Sequence, residues 1–224
     1  QGIFFYIKNI KTKEIWSSSY NKYIDNTDTY TIKFMPDQDE IERTDGDIKT
    51  KVKITTTPND SVEIRRLELE NTGKNEEILE VSSYFEPILS KKEDDYAHQA
   101  FNNLFLITEY DYEKNNLIIK RKARGKNSQD IYLATQLFTD CEIIGENEFE
   151  IDKEKFIGRG NLGIPKMIQQ SIPFSKKIGL VTEPVIAMKK TIKIKPEEKV
   201  SVDFIISVNE EKEIAIQNIK KYEN

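Results

Sequence analysis

Short runs of alternating apolar and polar residues recur along nearly the whole chain, and this alternation is the strongest constraint on its fold. Residues 48–57 place Ile48, Val52 and Ile54 on one face of a strand, and residues 200–206 place four apolar side chains on another. Turn-forming stretches at residues 58–60, 71–75 and 196–198 separate such runs. Many short strands with almost no helix between them predict an all-β fold, a large antiparallel β-sandwich.

The C-terminal segment has a different period. Residues 210–222 carry Ile214, Ile216 and Ile219 as a partial apolar stripe, with acidic residues early and lysines late. That charge order suits a helix dipole and predicts one C-terminal helix. The predicted organisation is therefore a sandwich domain over residues 1–208 followed by a helix over residues 209–224.

In one predicted strand, the apolar side chains change from one face to the other part-way along. Val62 and Ile64 share one face of a strand, whereas Leu67 and Leu69 share the other. A strand can keep a single buried face through such a change only by inserting a residue, so we predict a β-bulge near Arg65 and Arg66.

Charge and cysteine content exclude several classes of protein. The 224 residues carry a formal net charge of −5 with both signs interspersed, so no basic surface for nucleic acid is expected. The basic cluster at residues 120–126 is interpreted as a solvated strand end. Cys141 is the single cysteine, which rules out an internal disulfide and favours a reducing compartment. No apolar run approaches the ~20 residues of a membrane helix.

The most informative stretch covers residues 94–109. It contains Asp94, Asp95, the only histidine (His98) and Asn103, and it leads into a predicted strand at residues 104–108. We interpret it as a polar loop at the edge of a sheet, a common place for binding residues. A loop packed only for structural reasons remains an alternative, because His98 has no visible cysteine or serine partner.

A second polar stretch, residues 150–163, invites two interpretations. Its glycines formally match the dinucleotide-binding pattern GxGxxG, but charged residues precede them and Pro165 follows, where that pattern needs a strand and a helix. We favour a short helical turn capped by Asp152 and anchored by Phe156, from which Arg159 projects to bind hydroxyls or phosphate.

Several segments together resemble one known family. Residues 95–105 resemble the signature Asp-x-Ala-His-Pro-Ala-Phe-Ser-Asn-Leu-Phe of the β-sandwich domain of glycoside hydrolase family 94, formerly glycosyltransferase family 36. Gln99 and Asn102 depart from its proline and serine. Residues 16–20, 60–71, 150–160 and 175–185 also resemble segments of that family, in order. The similarity is strongest to the phosphorylase-like part of cyclic β-1,2-glucan synthases.

The resemblance implies a galactose-mutarotase-like supersandwich whose catalytic aspartate belongs to a separate (α/α)₆-barrel domain. We therefore expect a non-catalytic carbohydrate-binding or scaffolding domain, with no catalytic residue, metal or cofactor of its own. Its expected partners are a glucan or oligosaccharide, the helical barrel and a second copy in a homodimer, without nucleic acid or direct membrane contact. The implied location is cytoplasmic, in a parent associated with the inner membrane.

The candidate substrate-binding residues share polar or aromatic side chains within the segments that resemble the family: Trp16, Asp95, His98, Asn103 and Arg159. Trp16 has two interpretations, a core anchor, which the sequence favours, or a platform for the apolar face of a sugar. A purely structural or dimerisation domain, or a mutarotase-like epimerase, remain alternative functions. The epimerase is disfavoured because its chemistry needs an acid–base pair that usually involves histidine, and this chain has only a single histidine, which lies in a predicted loop.

Overall fold

A computed structural model describes residues 2–21, 27–125, 128–159 and 163–223. These residues form strands and helices in the following order: β1 (Phe4–Asn9), β2 (Ile15–Ser17), β3 (Thr29–Phe34), β4 (Asp39–Asp45), β5 (Ile48–Thr56), β6 (Val62–Asn71), β7 (Glu77–Phe85), α1 (Lys92–Asn103), β8 (Leu106–Asp111), β9 (Asn116–Arg121), β10 (Ile131–Thr139), β11 (Ile143–Asp152), α2 (Lys153–Ile157), α3 (Lys166–Gln169), β12 (Pro184–Ile194), β13 (Lys199–Asn209) and α4 (Lys212–Lys221).

The strands form two antiparallel sheets. The smaller sheet has the order β11-β12-β7-β1-β2, and the larger has the order β3-β4-β5-β6-β13-β10-β9-β8. The main apolar core lies between them, with side chains such as Phe5 and Ile7 from the small sheet and Val202 and Phe204 from the large one. The predicted all-β sandwich with a C-terminal helix is confirmed.

Strands of the small sheet bury both faces. The outward side chains Tyr6 and Tyr84 pack against Phe156 of α2 and Met167 of α3 in a second apolar cluster. The Tyr84 and Phe156 rings stack with centroids 5.1 Å apart. Burial, together with the nearby Glu86 carboxylate, raises the pKa of the Tyr84 hydroxyl above its ordinary value.

The prediction for α2 is confirmed. The Asp152 side chain accepts hydrogen bonds from the Glu154 and Lys155 backbone N–H groups, and Phe156 is fully buried. Gly158 ends the helix at a φ of 82°, and a Cβ there would lie 2.9 Å from Lys166 Cβ. Residues 160–162 of the same motif, which include its second glycine, lie outside the described part of the chain.

The predicted bulge near Arg65 and Arg66 is wrong. β6 pairs with β5 and β13 in an unbroken register. Val62 and Ile64 face outward into a third apolar cluster, which includes Ile219 of α4, whereas Leu67 belongs to the main core. The apolar side chains change face along β6 because α4 covers the outer face of the large sheet over one half of this strand. The strand therefore buries opposite faces at its two ends and needs no inserted residue.

Two further predictions need correction. The signature stretch is mostly helical, since α1 runs to Asn103 and β8 begins only at Leu106. The alternation of apolar and polar residues at positions 30–34 predicts a half-buried strand. A strand is present there, but it is largely exposed, because β3 is the end strand of the large sheet. In addition, the helices of the described ranges are too short and too polar to traverse a lipid bilayer.

Lys190 provides a pH-dependent test of the core. It lies on β12 between the core residues Met188 and Ile192 and is only 7% exposed. Burial lowers the pKa of its ammonium group, an effect that Cys141 and Glu223 partly offset. The folded state therefore binds fewer protons than the unfolded chain between the lowered pKa and the ordinary value of 10.5.

We therefore expect Lys190→Met to be more stable than the wild type at neutral pH. The wild type should gain stability as the pH rises through the lowered pKa of Lys190, so the difference between the two proteins should shrink. Urea unfolding of both proteins between pH 7 and pH 10 measures this. If the difference in unfolding free energy stays constant or grows over that range, burial of the Lys190 ammonium group does not lower the stability of the wild type.

Candidate functional site

An open groove lies where the signature stretch meets the predicted basic cluster, and we call it the α1 groove. It has a volume of about 860 Å³. The polar side chains that line it come from the segment before α1, from α1 itself, from the end of β9 and its following loop, and from the β13–α4 connection: Ser90, Lys91, Asp94, Arg121, Arg124, Ser128, Gln129 and Glu210.

The side chain of Asn102 connects the segments that form this groove. Its side chain is buried, and its Nδ2 donates to the carbonyl oxygens of Asp94 (2.7 Å) and His98 (3.2 Å). Its Oδ1 accepts from Arg121 Nη2 at 3.5 Å and from Arg124 Nη1 at 3.4 Å. One buried amide therefore joins the helix backbone to both guanidinium groups, and it satisfies carbonyl groups that a broken helix leaves open.

The helix is broken at His98, whose φ of −152° and ψ of 63° are not helical. In the family signature a proline follows this histidine, and a residue before proline is driven out of the α region. Here Gln99 takes the place of the proline, yet the break at His98 is present. The two Asn102 hydrogen bonds to Asp94 and His98 hold the bent backbone in its place.

The two arginines of the groove are held by contacts other than ion pairs. The Arg124 guanidinium lies over the Phe101 ring at 4.5 Å and over the Phe105 ring at 4.6 Å. Arg121 is half-buried and its Nε has no hydrogen-bond partner. Within the described ranges, no carboxylate lies within ion-pair distance of either guanidinium. The Arg121 Nε is itself buried, so the donors available to a ligand in the groove are the remaining terminal N–H groups of Arg121 and the N–H groups of Arg124.

Three of the sequence-predicted candidates lie at or beside this groove. Asp95 and Asn103 line a crevice that adjoins it at Arg121. The Asn103 Nδ2 donates to the Thr182 carbonyl oxygen at 3.3 Å, so it also ties α1 to the segment before β12. His98 is exposed on the same helix. Among the described residues, no carboxylate lies within ion-pair distance of its ring, which leaves it without a visible acid–base partner.

The other two candidates lie elsewhere. Trp16 is only 3% exposed in the main core, and its Nε1 donates to Thr50 Oγ1 at 3.1 Å. Its indole face is therefore covered and offers no platform to a sugar. Arg159 has a side chain that is 88% exposed and pairs with Glu154 at 2.7 Å, and it is not part of the α1 groove lining.

Sequence reasoning missed Asn102, Arg121 and Arg124. The interpretation of residues 120–126 as a solvated strand end fits the exposed Lys122, but Arg121 and Arg124 contact the signature helix instead. The sequence did carry a signal, since Asn102 is one of the departures from the family signature. A change from serine to a longer amide within a signature could have directed attention to its neighbours.

A comparison with known families shows to which family this chain belongs. The model of the glycosyl hydrolase 94 (GH94) supersandwich domain matches residues 1–224. The chain belongs to this family. The GH94 supersandwich domain is also 26% identical over 204 residues to the cyclic β-(1,2)-glucan synthase NdvB of Rhizobium meliloti (strain 1021). That match covers 91% of this chain but only 7% of the synthase.

Solved structures support the same fold for this GH94 supersandwich domain. A bacterial glucoamylase in complex with acarbose matches with a TM-score of 0.57 at 10% identity, over 98% of this chain and 28% of that one. A polysaccharide lyase matches with a TM-score of 0.53 at 14% identity, over 97% of this chain and 27% of that one. The GH94 domain therefore corresponds to about a quarter of these larger multidomain proteins.

Proposed function

We propose that this domain binds and positions a glucan chain in the α1 groove of a larger glucan-processing enzyme, and that it carries out no glycosidic chemistry itself. The observation that carries the proposal is the pair of guanidinium groups, Arg121 and Arg124, which converge on Asn102 without a carboxylate partner in the described ranges. Planar donors fixed in an open groove suit a ligand rich in hydroxyl oxygens.

The size and chemistry of the groove agree with this proposal. Its volume of about 860 Å³ falls in the range of about 300–1,000 Å³ that is usual for small-ligand sites. Asp94 and Glu210 supply acceptors for sugar hydroxyls, whereas Gln129 supplies both a donor and an acceptor. Next to the groove, Phe101 stays 46% exposed beneath Arg124 and offers an apolar surface for sugar C–H groups.

The parent enzyme and its location are part of the same proposal. We propose that α4 leads towards a helical-barrel catalytic domain that performs the reaction. From the resemblance to the glycoside hydrolase family, we also propose that this domain lies on the cytoplasmic side of a parent associated with the inner membrane. A purely structural role is the alternative, and it differs from our proposal in one measurable property, because a scaffold has no affinity for sugar.

Calorimetric titration with linear β-1,2-glucooligosaccharides tests the proposal. We expect the wild type to bind at millimolar sugar or below. Replacing Arg124 or Arg121 by alanine should weaken binding by about tenfold or more, since a hydrogen bond to a charged group contributes about 1.5–3 kcal/mol. Calorimetry is preferable to tryptophan fluorescence, because Trp16 is buried in the core and would not report on the groove.

Arg159→Ala is the matched control. It removes an exposed arginine outside the groove and should leave the affinity unchanged. Circular dichroism should show that every variant is folded at the temperature of the titration. No sugar or sugar phosphate should be released by the domain alone. A flat titration of the wild type would favour the scaffold, and a loss of binding in Arg159→Ala alone would move the site away from the α1 groove.

A further inference from the structure

Another cavity lies on one side of the sandwich, between an end strand of each sheet, and we call it the β8–β11 cavity. It has a volume of about 400 Å³ and lies between the end of β8 with its following turn and the first half of β11. It shares no lining residue with the α1 groove. Arg121 of the groove pairs with Leu106 at the start of β8, whereas the cavity begins at Tyr110 near the end of that strand. The two sites therefore lie at opposite ends of β8.

A bulge in β11 forms one wall of this cavity. β11 pairs with β12 at Ile144 and again at Glu148, but the three β11 residues between these positions face a single residue of β12. Gly145 begins the bulge with a φ of 81°, and Glu146 and Asn147 complete it. Bulges at sheet edges redirect side chains out of the strand pattern. The Asn147 side chain lines the cavity and has no hydrogen-bond partner among the described residues.

Three aromatic rings lead from the main core to the other wall. Phe149 of β11 is fully buried and stacks on Tyr110 of β8, with ring centroids 4.3 Å apart. Tyr110 in turn meets Tyr112 in a T-shaped contact at 4.9 Å. Tyr112 is 69% exposed and lines the cavity. The buried rings thus support an exposed tyrosine ring, which has both an apolar surface and a polar hydroxyl group.

Polar groups with unused hydrogen-bonding capacity surround this ring. Burial raises the pKa of the Tyr110 hydroxyl to about 12, so it stays protonated and donates to Asn115 Oδ1 at 3.2 Å. This contact orients the Asn115 amide and leaves its Nδ2 without a partner among the described residues. Lys176 and Glu146, the two charged residues of the lining, form an ion pair with each other. The lining therefore carries no net charge and favours a neutral ligand over an anion.

We propose that the β8–β11 cavity binds one pyranose ring of a carbohydrate, with the apolar face of the sugar stacked on the Tyr112 ring. A pyranose has C–H groups on its faces and hydroxyl groups around its rim, so an aromatic ring flanked by hydrogen-bonding groups suits it. The Asn115 and Asn147 amides supply donors and an acceptor for the hydroxyl groups, and the Glu146–Lys176 pair adds one of each kind. The volume lies near the small end of the range of about 300–1,000 Å³ for ligand sites, which suits a single ring.

An NMR titration of the whole chain with methyl β-D-glucopyranoside tests the proposal. We expect saturable shifts of the Asn115 and Asn147 side-chain amides, with a dissociation constant on the order of 1–10 mM for so small a ligand. Sorbitol, which carries hydroxyl groups but no ring, should cause no saturable shift. The α1 groove reports separately through the Asn102 side-chain amide, so a groove that binds no sugar would leave this result unchanged. Amides that do not saturate up to about 100 mM glucoside, or equal binding of sorbitol, would overturn the proposal.

Three variants test the stacking contact. Tyr112→Ala should weaken binding of the glucoside about tenfold, because it removes the ring that the sugar covers, whereas Tyr112→Phe keeps the ring and should bind within about threefold of the wild type. Tyr20→Ala is the matched control and should leave the affinity unchanged. Tyr20 is also exposed, at 65%, and also meets a neighbouring tyrosine in a T-shaped contact, but it lies outside the cavity. An unchanged affinity in Tyr112→Ala, or an equal loss in Tyr112→Phe, would refute the stacking of sugar on this ring.

Discussion

Replacing Phe204 by alanine is expected to lower the free energy of unfolding by about 3–5 kcal/mol. Phe204 is fully buried on β13, in the large sheet. Its ring meets two aromatic rings of the small sheet edge-on, Phe5 at 6.0 Å and Phe85 at 5.9 Å. Truncation removes the side chain that both rings contact and leaves a cavity that the rigid sheets cannot close. Unfolding in guanidinium chloride, monitored by circular dichroism, measures the loss.

Phe34→Ala is the control for this prediction. It makes the same chemical change at a residue that is 81% exposed in the same sheet, so the free energy of unfolding should change by no more than about 0.5 kcal/mol. A loss below about 1 kcal/mol for Phe204→Ala would mean that the contact between the two sheets is misplaced.

The second large effect is expected at Asp45. Its carboxylate accepts two hydrogen bonds from Arg43, at 2.7 and 2.6 Å, and Arg43 is fully buried. Arg43 also donates to the Ser17 carbonyl oxygen at 2.7 Å and so joins the large sheet to β2 of the small one. Asp45→Ala removes two charge-assisted hydrogen bonds from a buried guanidinium, which should cost about 3–5 kcal/mol.

A double variant separates this charge effect from simple loss of contacts. Adding Arg43→Met to Asp45→Ala removes the buried charge itself and fills much of the same volume, so part of the lost stability should return. Chemical unfolding of the single and double variants gives the coupling energy. If the double variant is less stable than Asp45→Ala, the buried charge is not the source of the loss.

The sequence predicted the elements whose signals are local. Alternation along β5 and β13 indicates strands regardless of their neighbours, and the charge order of residues 210–222 indicates α4. The cap at Asp152 and the anchor at Phe156 are likewise local, since they depend on residues within one helical turn. These features indicated the fold class, and the segments that resemble the GH94 family indicated the type of sandwich.

The sequence could not predict features that depend on distant segments. The parity change in β6 implied a bulge only while one face was assumed to be buried, and nothing within Val62–Asn71 shows that α4 covers the other. The exposure of β3 follows from its position at the end of the large sheet, which the strand itself does not encode. Its burial could be predicted only once the order of the strands was known.

The candidate site is a stronger example of the same limit. Asn102 lies on α1, whereas Arg121 ends β9 and Arg124 follows it, so their meeting depends on how β8 and β9 turn back beneath the helix. The stretch around His98 was predicted as a loop because it is a polar, aromatic-containing connection into an apolar segment, whereas the structure shows a broken helix whose side chains are mostly exposed. Trp16, in contrast, was correctly favoured as a core residue from its strand context.

The central claim is that the α1 groove of this domain receives a glucan chain. The most direct test is a two-dimensional NMR titration of the domain with linear β-1,2-glucooligosaccharides, observing the backbone amides and the arginine Nε–H groups. We predict that the largest shifts occur in α1, at the Asn102 side-chain amide and at the Nε–H groups of Arg121 and Arg124. Unchanged resonances in the groove at millimolar sugar, or shifts confined to another surface, would contradict the claim.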